Sequence, residues 1–547
     1  MALLALSLGL GCGKDGSKAP TPLDEAPQVF KGHHAALLVF DFEGRTLIGP
    51  DEPSEHAAIE RQLLYSIGQL NGAGGVSAPV SARLDRIERG EPRGDGSVEI
   101  RYHAELPVAW PAEHEIPETY RLRLPLRADA AGEGWLAATS SPACFDGQSE
   151  SGLWYEIRPD RPGCRFLVPM VEAVAAVSPG PTHALGRYPE IDRIWEDGAL
   201  DVLAIFRKDN PGPASAADVG RVAFMGFVNA ARAALGPEAV VVATPERGAA
   251  GAPPGMGATD ITLSRRYPDG RAVHIVVLLE DAVAPPSRID LVPRYARFLQ
   301  RYAELGPTAD IVLYNGHSGL GDNVRAIADA SSSLPGKYQL FYMDACDSFA
   351  YMTGDLAHRR AARTPEDPLG SRHLDVLLHA APVTFAGMPT AAMAIVFAML
   401  PDRAPLPYDE ILAGFERGRI GFVMGDEDNA YHPSRGLPPL PFLAHHGELD
   451  GERPLTVTTE ELPAGAHAFV LGADWAKGGR RGALSLEARV SDGGAPSEPV
   501  RCERSSSGLA PGASRCLVRL DAPASVTLSL RGDRGSAFSL HGFTRND

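Results

Sequence analysis

The sequence predicts an α/β chain: a central three-layer α/β/α domain on a mostly parallel sheet, an α+β domain before it and an all-β sandwich behind it. Three observations carry this expectation. Between about residues 198 and 445, strand-length runs that are apolar throughout alternate with helix-length segments, as in strands buried on both faces of a parallel sheet. Before them, residues 33–190 hold alternating segments such as "SVEIRYHAEL" and "TYRLRLPLRAD" around one amphipathic helix, "SEHAAIERQLLYSIGQL". Behind them, residues 447–547 show only strand-period segments separated by Gly, Pro and Asp turns.

A chain of 547 residues is too long for one core, so several domains are expected. Its net charge of -17 and pI near 5.4 argue against a binder of nucleic acid or anionic lipid, which would need a cationic surface. The N-terminus, "MALLALSLGLGCGKDGSKAP", is a short apolar run that stops at small residues before Cys12. It is similar to a bacterial lipoprotein signal peptide: residues 1–12 would be the signal, Cys12 the lipidation site and residues 13–32 a flexible tether. The expected location is therefore the cell envelope, with membrane contact through the lipid anchor only. Gly13 after Cys12 favours the outer membrane by likeness to Gram-negative sorting signals.

Six cysteines fit an oxidising compartment. Cys144 and Cys164 bracket a polar, Pro- and Gly-rich segment, and Cys502 and Cys516 bracket a Ser- and Gly-rich loop; each pair is a natural local bridge. With Cys12 lipidated, Cys346 is left over, either as an inert buried thiol or as a reactive one.

The central elements follow in order. A strand "LDVLAIF" leads through "KDNPGPASAAD" to the helix "VGRVAFMGFVNAARAAL" and the strand "EAVVVAT". A hairpin turning at Pro-Asp-Gly comes next, then the helix "IDLVPRYARFLQRYAEL" and the strand "ADIVLYN". A short helix near "DNVRAIA", the strand "YQLFYMD" and a last strand "PVTFAG" backed by the helix "TAAMAIVFAML" complete the domain. Ligands of parallel α/β sheets bind beyond the carboxyl ends of the strands. His317 follows the carboxyl end of one such strand and Cys346 the end of another, with one crossover's length between them. Neighbouring strands lie about 4.8 Å apart, so the imidazole and the thiol can share one edge. An imidazole beside a thiol lowers its pKa or carries its proton to a leaving amine.

The stretches "NGHSG", Asn315 to Gly319, and "DACDS", Asp344 to Ser348, resemble the paired motifs of the caspase-like cysteine peptidases, which include legumain, the gingipains and clostripain. The resemblance implies the three-layer fold and peptide-bond hydrolysis through a thioester. Cys346 would be the nucleophile and His317 the general acid/base, acting on a protein or peptide substrate without a cofactor. The oxyanion donors would be the backbone amides of Ser318 and Cys346, since this chain has His317-Ser318-Gly319 where the family has His-Gly. Asp344 is expected at the sheet end or in a specificity pocket.

Two other readings stay open. "GHSGL", Gly316 to Leu320, nearly matches the nucleophile elbow of α/β-hydrolases and would make Ser318 an esterase nucleophile, although Leu320 stands where the elbow has Gly. The fold can also serve as a binding lipoprotein without chemistry. Asp426, Glu427 and Asp428 in "GDEDNAYH" are a weak candidate for calcium, because they lack the spacing of a calcium loop.

Overall fold

The computed structural model describes residues 35–49, 54–111, 114–127, 139–145, 153–180, 186–209, 217–245, 258–280, 293–319, 321–352, 355–364, 366–415, 421–478, 483–491, 498–505 and 512–545. Cys12, the run before it and the tether lie outside them. Among the described residues no helix is long and apolar enough to cross a membrane.

The first sheet contains β1 (Ala35–Ile48), β2 (Val76–Ser77), β3 (Arg83–Pro92), β4 (Val98–Pro111), β5 (Thr119–Pro125) and β6 (Met170–Pro179), all pairings antiparallel, in the order β2-β4-β1-β6-β5 with β3 also on β4. Alternate residues of β1, Leu38, Phe40 and Phe42, are buried against Ile100, Tyr102 and Leu122, as strand period requires. The helices Glu55–Leu63 and Tyr65–Asn71 cover this face. The first begins at Ser54, whose hydroxyl accepts from the Ala57 amide at 3.1 Å. Cys144 is bonded to Cys164 behind it.

The second sheet contains β7 (Ala199–Arg207), β8 (Val240–Pro245), β9 (Ala258–Arg266), β10 (Ala272–Glu280), β11 (Ile311–Asn315), β12 (Gln339–Asp344), β13 (Leu374–His379) and β14 (Gly421–Met424), in the order β14-β13-β12-β11-β7-β10-β9-β8. Val202, Ala204 and Phe206 of β7 pack on the face covered by the helices Val219–Leu235 and Met388–Met399. Leu203 and Ile205 pack on the other, with Tyr302 and Ile327 of the helices Pro293–Leu305 and Asp322–Ala330. Asp218 caps the long helix Val219–Leu235 by accepting from the Arg221 amide at 2.9 Å, and Gly236, at φ 76°, ends it.

The last eight strands form two antiparallel sheets. One holds β15 (Leu443–Glu448), β17 (Gly465–Ala473), β19 (Glu503–Arg504), β20 (Ser514–Leu520) and β22 (Ala537–Arg545). The other holds β16 (Leu455–Thr458), β18 (Leu484–Ser491) and β21 (Ser525–Gly532). Phe469, Val518 and Leu540 from the first meet Leu486, Leu528 and Leu530 from the second in one core, and Cys502 is bonded to Cys516.

The expected architecture is thereby corrected. The chain is not a mostly parallel three-layer α/β/α fold of the caspase-like kind; it is rich in sheet, and most of that sheet is antiparallel. Three of the four sheets have only antiparallel pairings, and the central one is mixed, with antiparallel β8, β9 and β14 at its edges. Parallel pairing is confined to β10 with β7, β7 with β11, β11 with β12 and β12 with β13. Apolar runs alone do not fix direction: a tight turn pairs β9 with β10 antiparallel, and β14 returns antiparallel to β13 after a helical connection. "PVTFAG", residues 382–387, is a connection rather than a strand. The strand there is "LDVLLH", β13, whose Asp375 and His379 interrupt the apolar run that would have identified it.

Asp375 is fully buried, and its Oδ2 accepts from Tyr338 Oη at 2.6 Å, from Asn429 Nδ2 at 2.6 Å and from Tyr408 Oη. Burial nevertheless pushes its carboxyl up to about 7 against those donors. The folded state therefore binds this proton more tightly than the unfolded chain, whose carboxyl titrates near 3.9. Stability from this group is full below about pH 4 and is lost as pH rises through about 7, by an amount on the order of 4 kcal/mol. Denaturation of wild type and Asp375→Asn at pH 5 and pH 8 should show a steeper loss with pH in wild type; equal slopes would contradict the assignment.

Candidate functional site

The carboxyl ends of β7, β11, β12 and β13, adjacent in the sheet, deliver four short segments to one edge. Asn315 is in register with Asp344, and the Gly316 amide donates to the Asp344 carbonyl at 3.1 Å, so the chain is paired across both strands up to the loops that carry His317 and Cys346. The His317 carbonyl accepts from Tyr314 Oη at 2.7 Å and from Asn323 Nδ2 at 2.9 Å, which fixes its loop to the strand before and the helix after. Gly319 makes the turn at φ 58°, where a Cβ would lie 2.7 Å from Asn323 Nδ2.

The His317 ring sits edge-on to Phe385, centroids 4.9 Å apart, and its Nε2 is 2.9 Å from Asp209 Oδ1. Asp209 lies just past the end of β7. The carboxylate can only accept, so Nε2 carries the proton and Nδ1 is the basic nitrogen. Cys346 is 4% exposed, and the Val383 amide donates to its Sγ at 3.4 Å. Val383 and Phe385 belong to the connection after β13, so the same segment borders both His317 and Cys346. None of the described cysteines is a free thiol, and Cys346 is held as a disulfide.

Asp347, directly after Cys346, has φ 49°, a left-handed conformation uncommon for a residue with a side chain. Its amide donates to the Ala381 carbonyl at 3.2 Å and its Oδ2 accepts from Asn71 Nδ2 at 3.3 Å. Burial pushes its carboxyl up to about 6.

The other expected residues fall differently. Asp344 is fully buried at the sheet end: its Oδ1 is 3.4 Å from His379 Nε2, which is also 2.7 Å from Tyr342 Oη. Ser318 is 4% exposed and its φ is not positive, so this position needs no glycine. The helix after it starts at Asp322, with Gly321 at its N-cap. Asp426 is buried in the short turn Asp426–Asp428 while Glu427 and Asp428 are exposed; the three carboxylates do not converge, and among the described residues no group of three acidic, His or Cys side chains is arranged to hold a metal.

Asp209 is the residue that the sequence reading missed. Its signal was present: it follows the apolar run "LDVLAIF" as His317 and Cys346 follow theirs. No family model, no curated protein and no solved structure matches the chain.

Proposed function

We propose that the chain is a cysteine hydrolase of peptide bonds in which Cys346, once reduced, is the nucleophile, His317 the general acid/base and Asp209 the group that orients His317. The observation that carries this reading is the His317–Asp209 pair at the end of β11 and β7, beside the strand end that carries Cys346. His317 takes the thiol proton, and the thiolate attacks the scissile carbonyl carbon. The tetrahedral oxyanion collapses as the C–N bond breaks, and the leaving amine takes the proton from His317. Water then gives a proton to His317 and attacks the thioester, releasing the acid and restoring the thiol. Asp209 holds the tautomer and steadies the imidazolium. The amides of Ser318 and Cys346 are the oxyanion donors in this scheme.

A second reading, partner binding without turnover, is favoured by the near-complete burial of Cys346 and its disulfide. Site-resolved mass spectrometry separates the two. After mild reduction, iodoacetamide should label Cys346 quickly at neutral pH, and Asp209→Ala should slow labelling by about tenfold or more, because the carboxylate holds the His317 ring in the tautomer that takes the thiol proton. Slow labelling indifferent to both Asp209 and His317 would leave the binding reading.

A further inference from the structure

The loop that bears Cys346 is built on the N-terminal domain as much as on its own sheet. Ala345, Phe349, Ala350, Tyr351 and Met352, which flank it, share one buried cluster with Ile67, Val76, Ala78 and Ala109 of the first domain. Ser81 Oγ donates to the Met352 carbonyl at 3.1 Å, closing the far end of the short helix Ser348–Tyr351. At the near end, the Asn71 side chain donates to Asp347, the residue that follows Cys346. Asp347 is buried, and its other carboxylate oxygen has no hydrogen-bond partner among the described residues. Its backbone is left-handed, a conformation that Asp adopts more readily than most residues but that still fixes the direction of the chain after Cys346. A buried carboxylate with a single hydrogen-bond donor is a poor choice for stability alone.

We infer that Asn71 is a positioning residue for the nucleophile: by holding Asp347 it fixes the backbone that aims Cys346 at His317. The inference rests on the cysteine-hydrolase reading above and adds to it a role for the N-terminal domain, which becomes part of the working site rather than a packing module. Displacements of about 1 Å at reacting atoms are enough to cost orders of magnitude in rate, and a long-range hydrogen bond between domains is a direct way to prevent them.

The test uses the full chain after mild reduction, with iodoacetamide as probe and site-resolved mass spectrometry as readout, over pH 5 to 9. Asn71→Ala should slow labelling of Cys346 by about ten- to a hundredfold across the neutral range. Asp347→Gly keeps the left-handed backbone without the side chain and should show the same loss, so it decides the matter if Asn71→Ala does not fold. The exchanged pair Asn71→Asp with Asp347→Asn rebuilds the contact with donor and acceptor reversed and should recover most of the rate. Wild-type labelling in Asn71→Ala or Asp347→Gly overturns the inference, as does an exchanged pair that folds normally and recovers nothing. His317→Ala is run beside them: if it labels like wild type the hydrolase reading itself fails and this inference with it, whereas a normal dependence on His317 with none on Asn71 removes the inference alone.

Discussion

Cys346→Ala should abolish peptide hydrolysis by the reduced protein, and His317→Ala should lower it by about 10²- to 10⁴-fold, the usual contribution of a positioned general acid/base. The two effects differ because the roles differ. Without the sulfur no thioester forms, whereas without the imidazole the thiol remains and still ionises to a small extent. The variants should not sum: once His317 is gone, removing Asp209 as well should change little, because Asp209 acts through the ring. Comparison with reduced wild type removes the disulfide from both sides, so Cys346→Ala then costs only one small buried side chain. His317 is partly exposed, its carbonyl being held by Tyr314 and Asn323 through contacts that the substitution leaves in place. Activity would be followed as new peptide termini released from a denatured protein substrate, with melting temperature as the control. A Cys346→Ala variant that hydrolyses at the wild-type rate would sink the mechanism.

How much of this was legible beforehand depends on whether the signal was local. The apolar runs that became β7, β11 and β12 are fully buried and announce themselves, and with them the edge on which His317 and Cys346 sit. Direction and order were not legible. "EAVVVAT" looks like an interior parallel strand, yet it became β8 at an antiparallel edge, with Val240, Val241 and Val242 substantially exposed. β13 escaped notice because Asp375 and His379 break its pattern, and the tyrosines and the asparagine that make their burial tolerable come from distant parts of the chain. Asp209 escaped for the opposite reason: a polar residue after a strand is ordinary until the strand order places β7 beside β11. The contact between Asn71 and Asp347 joins residues far apart in sequence and has no local signature at all.

A larger loss of stability is expected from a place far from this edge. At the amino ends of the same strands, Lys337 is almost wholly buried and donates to Asp310 Oδ1, while Asp310 Oδ2 accepts from the Asp201 amide at 2.8 Å and Asp201 Oδ1 meets His274 Nδ1 at 2.8 Å. Arg515, from the C-terminal sandwich, lies 3.6 Å from Glu196 and donates to the Pro335 carbonyl at 3.2 Å, so this network also ties two domains together. Burial alone would pull the Lys337 ammonium down, but Asp310, Asp197 and Glu196 together hold it above its ordinary value. Its contribution is therefore fully present at every pH below about 10 and is lost only as pH rises beyond that. Lys337→Met keeps most of the volume and removes the charge, leaving Asp310 buried beside Asp197 and Asp201; the cost should be about 3–5 kcal/mol. Asp310→Asn should cost less, because Lys337 keeps Asp197 and Glu196 as partners. Adding Asp310→Asn to Lys337→Met should then recover part of the loss, since the stranded carboxylate goes with it. Denaturant unfolding at pH 7, followed by tryptophan fluorescence and far-UV circular dichroism, measures all three. A Lys337→Met variant within 1 kcal/mol of wild type would mean that the carboxylates accept protons or water with little penalty, and that the network orders the interface without stabilising it.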